Sequence, residues 1–201
     1  MILGVTGNIA SGKSSVAKEF KKRGAVIVDA DQLARDVVRR GSNTLNSLVA
    51  TFGDAILQSD GSLDRERLGG LVFADAEART KLNAIVHPAI ASLAVERLEE
   101  LQSKNGIPLI VYEAPLLFEA KAENRVDKVL VVQIDEQEQL KRLMKRDGLP
   151  LTEAKKRMDA QMSQDEKLRR ADFIIDNSGA FEKTQEQVER LWEKLVGEAL
   201  S

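Results

Sequence analysis

The sequence contains no cysteine in its 201 residues, and its only histidine is His87. The missing thiols exclude disulfides, thiol catalysis and cysteine-ligated zinc, and nothing in the composition suggests an oxidising compartment. A lone histidine does not form a metal site. Chemistry that depends on thiols or on clustered imidazoles is therefore excluded.

An excess of charge of one sign is also missing, because 30 lysine and arginine residues nearly balance 32 aspartate and glutamate residues. A nucleic-acid-binding domain usually shows a basic excess or stripe, so this balance argues against one. A small anionic ligand is still possible, since it needs only a few local positive charges. No apolar run approaches a membrane span, and residues 1–5 are too few for a signal peptide. We expect a cytoplasmic protein without nucleic-acid or membrane partners, and the oligomeric state stays open.

Short apolar runs of strand length alternate with helical patterns along the chain. Continuous apolar strands separated by helices indicate a parallel sheet that is covered on both faces. The predicted strands are residues 2–5, 25–28, 109–112, 129–133 and 173–175.

Two long segments depart from this alternation. The first joins the second and third strands and shows only helical patterns, which predicts an all-helical insertion. The second, residues 136–170, is a charged helical stretch in which Asp135 with Glu138, and Ser163 with Glu166, have capping-box spacing. Breaks in the first segment are predicted at Gly41-Ser42, Asp60-Gly61 and His87-Pro88, and in the second at residues 147–150.

Residues 7–14, GNIASGKS, match the pattern G-x-x-x-x-G-K-[ST] between a predicted strand and a predicted helix. Glycines let successive N–H groups converge on phosphate oxygens, and the following helix N-terminus favours an anion. In this pattern Lys13 reaches the β- and γ-phosphates and the Ser14 hydroxyl holds Mg²⁺. The alternative is a glycine-rich turn without a ligand, but the strand-to-helix context favours a nucleotide site.

Other motifs of nucleotide-binding proteins are missing. The sequence has no guanine-reading N-K-x-D after a late strand and no L-S-G-G-Q signature, so a switch GTPase and a transporter-type ATPase are disfavoured. A small kinase remains, with the helical insertion for the acceptor and a helical lid.

Asp29 and Asp31 follow the second predicted strand, and the carboxyl ends of parallel strands line the ligand crevice. One carboxylate could accept a proton from an attacking hydroxyl while the other helps with metal-bound water or with orientation. Alternatively, Asp31 caps a helix that begins at Gln32, or it serves both purposes.

Several stretches, taken together, resemble the dephospho-CoA kinase family. The phosphate-binding loop alone is generic, whereas the combination with D-A-D-x-L-A-R, H-P and P-L-L-F-E is much more specific. The stretches span nearly the whole chain and comprise residues 6–14, 29–35, 86–88, 115–119, 142–147, 160–161 and 171–179. The resemblance implies ATP-dependent phosphorylation of the ribose 3′-hydroxyl of dephospho-CoA, the last step of CoA synthesis.

The same resemblance implies an α/β fold of the P-loop kinase type, similar to the nucleoside monophosphate kinases. Its five-stranded parallel sheet is expected in the order 2-3-1-4-5, with helices on both faces. Within a single domain, 1–201, we expect a nucleotide-binding core, a helical acceptor-binding insertion and a helical lid. The core comprises residues 1–34, 107–135 and 171–201, the insertion residues 35–106, and the lid residues 136–170.

The resemblance assigns the acceptor side of the site. Asp31 is the candidate general base, Arg35 binds or orients the acceptor, and His87 contacts the acceptor by hydrogen bonding. The alternatives are a solvated helix charge for Arg35 and a residue at a helix start for His87. Leu116 and Phe118 pack against nonpolar parts of the acceptor, or they belong to the core.

The nucleotide side is assigned in the same way. Asn177 is expected near the adenine, or it is a turn residue. Glu113 stands where the family commonly has aspartate, and we expect it to meet Mg²⁺ through water beside Ser14. The expected ATP-binding residues of the loop are Gly7, Ala10, Ser11, Gly12, Lys13, Ser14 and Ser15.

Arg142 and Arg146 lie four residues apart, so one helix face presents both. Glu138 precedes Arg142 by four residues, which allows an ordinary ion pair. As lid residues, both arginines would instead close over the transferring phosphoryl group and offset its charge. Two other functions stay open: a kinase for a nucleoside or nucleotide acceptor, and a non-catalytic ATP-binding module.

Overall fold

The computed structural model describes residues 1–199. Every predicted strand is present, with each end within one residue of its predicted position. The strands are β1 (Ile2–Thr6), β2 (Val26–Asp29), β3 (Ile110–Glu113), β4 (Lys128–Gln133) and β5 (Phe173–Asp176). The helices are α1 (Lys13–Lys22), α2 (Ala30–Asp36), α3 (Asn43–Phe52), α4 (Arg65–Ala74), α5 (Ala76–Gln102), α6 (Glu136–Asp147), α7 (Leu151–Asp159), α8 (Gln164–Arg169) and α9 (Phe181–Ala199), with 3₁₀ turns at Asp54–Ile56 and Glu123–Arg125.

The strands form one parallel sheet in the order β2-β3-β1-β4-β5, which confirms the predicted order. In register, Val5 pairs with Glu113, and Glu113 pairs with Asp29 on its other side. All strands are parallel, so their carboxyl ends share one edge of the sheet. That edge therefore receives the loop after β1 and the acidic ends of β2 and β3.

One hydrophobic core of this sheet unit, residues 1–29 and 98–199, lies between the sheet and the helices α1 and α9. Val16 and Phe20 on α1 are completely buried, as are Val188 and Leu195 on α9. These residues recur at helical spacing, so each helix turns one apolar stripe towards the strands. The core thus fixes α1, and with it the end of the loop that precedes α1.

Residues 30–97 form a second compact unit. Its core is built by helices, and its only strand pairing is an isolated bridge between Leu57 and Leu63. The predicted break at residues 41–42 is confirmed, since the Ser42 hydroxyl caps α3 by accepting a hydrogen bond from the Leu45 N–H at 3.1 Å. The buried core residues are Val37, Val38, Leu48, Ile56 and Leu68.

The predicted break at His87-Pro88 is wrong, because α5 continues through Pro88. Proline removes one backbone donor and disfavours a helix interior. Here Leu82, Val86 and Ile90 lie one turn apart and pack against the core of residues 30–97. Packing of this apolar face outweighs the local defect. The alternative that His87 marks a helix start is wrong for the same reason.

The alternative prediction, that Asp31 caps a helix beginning at Gln32, is also wrong. Helix α2 begins at Ala30, so Asp31 lies within its first turn and does not precede it. A carboxylate there still interacts favourably with the positive end of the helix dipole.

Glu19 links α1 to α9 from a buried position, with 3% of its surface exposed. Its carboxylate accepts hydrogen bonds from Lys22 Nζ at 2.6 Å and from Gln185 Nε2 at 3.2 Å. The Lys22 hydrogen bond, followed by those of Gln185 and Arg23, lowers the pKa of Glu19 below its ordinary value despite the opposing effect of burial.

We predict that Glu19→Gln lowers the melting temperature at pH 7 by about 2–4 °C, the equivalent of roughly 1 kcal/mol in a chain of this size. A lowered pKa in the folded state means that the stabilisation exists at neutral pH and is lost as pH falls through that pKa. The difference in melting temperature between Glu19→Gln and the unsubstituted protein should therefore become smaller below about pH 4. Thermal melts across pH 3–8 measure it, with the exposed Glu186→Gln on α9 as control. If the difference in melting temperature were constant over this pH range, the lost stability would be due to packing and not to the charge of Glu19.

Candidate active site

The loop between β1 and α1 has an unusual backbone. Gly7, Ala10 and Gly12 have φ values of 148°, 60° and 90°, all in the region that disfavours side chains. A Cβ on Gly7 would lie 2.5 Å from the carbonyl oxygen of Val132, and one on Gly12 would lie 2.1 Å from Asn177 Nδ2. Glycine is required at both positions because the backbone passes so close to β4 and to the end of β5.

Lys13 spans this loop from the first turn of α1. Its side chain is 8% exposed, and Nζ donates to the carbonyl oxygens of Gly7 at 2.9 Å and Asn8 at 3.0 Å. Asn8 Oδ1 and Ser11 Oγ are also buried, without a hydrogen-bond partner within residues 1–199. Buried polar atoms of this kind normally find partners, so their presence fits a loop that takes a polar ligand.

Ser14 and Glu113, the predicted metal-side pair, lie together. Ser14 Oγ donates to Glu113 Oε1 at 2.5 Å, and Glu113 is buried at the end of β3. Hydroxyl and carboxylate oxygens are the ligands that Mg²⁺ prefers. The described residues include no group of three histidine, cysteine, aspartate or glutamate side chains that could hold a metal ion by themselves. A site with few protein oxygens suits Mg²⁺, which keeps several waters and is shared with phosphates.

A cavity of about 540 Å³ lies beside the loop. It brings together the loop, both predicted arginines of α6 and the segment after β5. The lining residues are Ala10, Gly12, Lys13, Ser14, Ser15, Arg142, Arg146, Asn177, Gly179 and Phe181. Among them Phe181, which is 40% exposed at the start of α9, was not predicted. An exposed aromatic at a helix start carries no pattern that the sequence alone could identify.

The two arginines are oriented by neighbouring carboxylates. Arg142 Nε donates to Glu138 Oε1 at 2.9 Å, and this bond lowers the pKa of Glu138 below its ordinary value. Arg146 makes two hydrogen bonds to Asp147, at 2.7 and 3.1 Å, which in turn lower the pKa of Asp147. The predicted ion pair between Arg142 and Glu138 therefore exists, and both arginines also line the cavity.

Asn177 supports the loop from the end of β5. Its Nδ2 donates to the carbonyl oxygen of Ser11 at 2.7 Å, and its Oδ1 accepts from Thr184 Oγ1 at 2.8 Å. Both bonds are buried, so the amide is fixed in one orientation. This is a more specific task than that of a turn residue, while the expected place near adenine stays a prediction.

Ile9 is held by two side-chain amides that sequence analysis left without a role. Gln161 Oε1 accepts from the Ile9 N–H at 2.7 Å, and Gln139 Nε2 donates to the Ile9 carbonyl oxygen at 2.9 Å. Gln139 is on α6, and Gln161 follows α7. A glutamine in a charged helix carries no signal of such a contact.

The P-L-L-F-E stretch divides between core and surface. Phe118 is 3% exposed and lies under the Arg170 guanidinium, 4.2 Å from the ring centroid, which favours the core alternative over acceptor contact. Leu116 is 51% exposed, so its predicted acceptor contact stays open. Glu119 pairs at 2.9 Å with Lys167, a completely buried lysine that the sequence did not single out.

Three of the predicted acceptor-side residues, Asp31, Arg35 and His87, belong to the helical unit. Arg35 and Asp31 are exposed on α2, and His87 is exposed on α5. His87 and Asn83 contribute to a largely apolar cavity of about 290 Å³ within this unit. The remaining lining residues are Ala34, Val38, Leu48, Leu63, Arg65, Leu68, Gly69, Val72, Leu82, Val86 and Ile90.

Comparison with known proteins decides the family. The family model described as CoaE, dephospho-CoA kinase, matches residues 1–183. The chain belongs to the dephospho-CoA kinase family. Similar family members include the dephospho-CoA kinase of Geobacter sulfurreducens, 49% identical over 96% of this chain and 98% of its own length. The dephospho-CoA kinase of Syntrophotalea carbinolica is 50% identical over 98% of this chain and 92% of its own length. A solved structure, dephospho-CoA kinase from Campylobacter jejuni, is 30% identical with a TM-score of 0.78, covering 98% of each chain.

Membership in the dephospho-CoA kinases confirms the reaction implied by the resemblance. The chain is an enzyme that phosphorylates dephospho-CoA with ATP in CoA biosynthesis. The kinase fold and the ATP-binding loop are confirmed with it. Within residues 1–199, none of the helices has the length and apolar character needed to cross a membrane.

We predict that Gly7→Ala raises KM for ATP at least 10-fold, because the new Cβ would displace either the loop or the Val132 carbonyl group. Gly106→Ala is the matched control, since Gly106 has φ of 84° and nothing within 4 Å of an added Cβ. Gly106→Ala should lower the free energy of unfolding by about 1–2 kcal/mol, because of left-handed backbone strain alone, and leave KM for ATP unchanged. Steady-state kinetics and thermal melts measure both effects, and equal KM values in the two variants would contradict the close-approach argument.

Proposed function

We propose that the chain transfers the γ-phosphoryl group of Mg-ATP directly to the ribose 3′-hydroxyl of dephospho-CoA. The bond between the γ-phosphorus and the ADP oxygen breaks, the new bond forms to the acceptor oxygen, and the hydroxyl proton leaves to a carboxylate. The transfer is in line and forms no phosphoenzyme. The observation that carries the proposal is the cavity in which the loop lies opposite Arg142 and Arg146.

The nucleotide phosphates bind at the loop and the N-terminus of α1. Backbone N–H groups and the helix dipole attract the anion, and Lys13 adds a full positive charge. Lys13 Nζ donates to the Gly7 and Asn8 carbonyl oxygens, so it would exchange carbonyl contacts for phosphate oxygens. The remaining loop residues expected to contact ATP are Ala10, Ser11, Gly12, Ser14 and Ser15, with Asn177 near the adenine.

Ser14 and Glu113 would hold Mg²⁺, with Glu113 acting through water. When bound, the metal neutralises charge on the phosphate oxygens. The 2.5 Å contact between the two side chains supports this assignment, because it indicates that the longer glutamate still reaches Ser14. The substitution of glutamate for the common aspartate is then compatible with the same task.

Asp31 accepts the hydroxyl proton, and Arg35 and His87 bind the acceptor. Asp31 follows the end of β2 by two residues and is exposed, as a group that contacts substrate must be. The apolar cavity that includes His87 supports binding of nonpolar acceptor parts by the helical segment 35–106. Leu116, half-exposed after β3, is a further residue expected to contact nonpolar parts of the acceptor.

Arg142 and Arg146 offset charge on the equatorial oxygens of the transferring group. The transition state of phosphoryl transfer is loose, so positioning and charge neutralisation contribute more than base catalysis. The carboxylates of Glu138 and Asp147 support this role, because they hold each guanidinium in one orientation. The lid assignment of residues 136–170 and the cytoplasmic location remain predictions.

An acceptor panel tests the reaction. With Mg-ATP we expect ADP release with dephospho-CoA and little with nucleosides or nucleoside monophosphates, and phosphorus NMR of the product should locate the new group at the 3′-oxygen. Lys13→Ala should nearly abolish turnover, whereas Lys18→Ala, an exposed lysine on the same helix, should leave it intact. Preference for a nucleoside or nucleotide as acceptor would support a kinase for that acceptor. ATP binding without turnover of any acceptor would support a non-catalytic ATP-binding module.

We predict that Asp31→Asn lowers kcat by roughly 10²-fold or more while KM for ATP is mostly kept, since general-base losses run about 10²–10⁴-fold. Asp36→Asn, which affects a carboxylate that accepts a hydrogen bond from Gln32 on the same helix at 3.0 Å, is the control. Steady-state kinetics in both substrates separate the parameters. An unchanged kcat with a lower melting temperature would reduce Asp31 to a helix-stabilising residue.

A further inference from the structure

We propose that Gln139 and Gln161 are positioning residues that hold the phosphate-binding loop in its nucleotide-binding conformation. The proposal rests on the nucleotide role assigned to that loop above. It gives residues 136–170 a second task, because the same segment that supplies Arg142 and Arg146 also organises the loop. The Ile9 N–H donates to Gln161 at 2.7 Å, and the Ile9 carbonyl oxygen accepts from Gln139 at 2.9 Å.

These two bonds fix both peptide planes that flank Ile9. The Ile9 N–H belongs to the peptide shared with Asn8, and the Ile9 carbonyl group belongs to the peptide shared with Ala10. A trans peptide is planar, with N–H and C=O pointing in opposite directions. The Ala10 N–H must therefore point away from Gln139, while the Ile9 N–H is committed to Gln161. The two glutamines thus decide which loop amides can face a phosphate.

Ala10 explains why such fixing is needed. Its φ of 60° lies in the left-handed region, which is unfavourable for a residue with a Cβ. A residue keeps such a backbone conformation only where contacts with the surrounding structure hold it there. Gln139, 4% exposed, supplies a hydrogen bond immediately before Ala10, and Asn177 holds the Ser11 carbonyl oxygen immediately after it.

The amide is also the chemical group that suits this position. A carboxylate in place of Gln161 could accept the same Ile9 N–H, but its negative charge would repel the phosphates. A hydrocarbon would leave the N–H and C=O groups of Ile9 without these partners. A neutral amide provides the hydrogen bonds without opposing the charge of Lys13.

Gln164 provides a matched control within the same segment. Its side-chain amide accepts from the Ile134 N–H and donates to the Ile134 carbonyl oxygen, both at 3.0 Å. It therefore braces one main-chain residue with two hydrogen bonds, as Gln139 and Gln161 do together. Ile134 lies after β4 and is not part of the loop.

The test replaces each glutamine by methionine, which has a similar length and cannot make these bonds. The variants are Gln139→Met, Gln161→Met and Gln164→Met. We expect the first two to raise KM for ATP about 3- to 10-fold each, the effect of losing one hydrogen bond, at nearly unchanged kcat. In the nucleotide-free enzyme, hydrogen exchange of the peptide covering residues 4–15 should accelerate by a similar factor. Gln164→Met should lower the melting temperature and leave both readouts unchanged.

Two results would overturn the proposal. One is an unchanged KM and unchanged loop exchange in both Gln139→Met and Gln161→Met. The other is a Gln164→Met variant that raises KM as much as they do, because the effect would then reflect general destabilisation. Exchange of the loop in nucleotide-free protein does not depend on the acceptor, so failure of the reaction assignment would leave this test intact.

Discussion

The left-handed backbone of the loop between β1 and α1 is the constraint on which the rest of this structure depends. A chain does not hold such a shape by itself, because the required φ values disfavour side chains. Here the restraints come from distant segments: the Val132 carbonyl group beneath Gly7, Asn177 at Ser11, and the glutamines at Ile9. The strand order brings β4 directly beside β1, and β5 beside β4, so these restraints come from neighbouring strands and from the helices after β4.

The positively charged side chains of the site are each held in place by oxygen atoms of the protein. Lys13 donates to carbonyl oxygens, and Arg142 and Arg146 are oriented by carboxylates of their own helix. The chain as a whole carries a formal charge of only −2, with 30 basic and 32 acidic residues. A strongly anionic nucleotide is therefore attracted by local geometry and not by a general positive field, which agrees with a small-molecule substrate.

Local signals in the sequence predicted the strands, the loop, the caps of α6 and α8 and, with the family resemblance, the sheet order. Asp135 and Ser163 cap their helices as predicted, since capping depends on residues three positions apart. Predictions failed where tertiary packing decided the outcome. Pro88 lies inside α5 because an apolar face outweighs a lost hydrogen bond, and α2 begins at Ala30, not at Gln32. The glutamine bonds to Ile9 span 130 and 152 residues, a separation at which a single sequence carries no pairing information.

The central position of β1 has a consequence for local unfolding of the sheet. Edge strands open by local unfolding at a lower free energy than strands paired on both sides. Strand β1 is the third of five, whereas β2 forms one edge and continues directly into α2. Fraying at that edge can loosen the chain segment that leads to Asp31 while the loop above β1 keeps its shape. The phosphate-binding loop thus leaves the central strand of the sheet, which is paired on both sides.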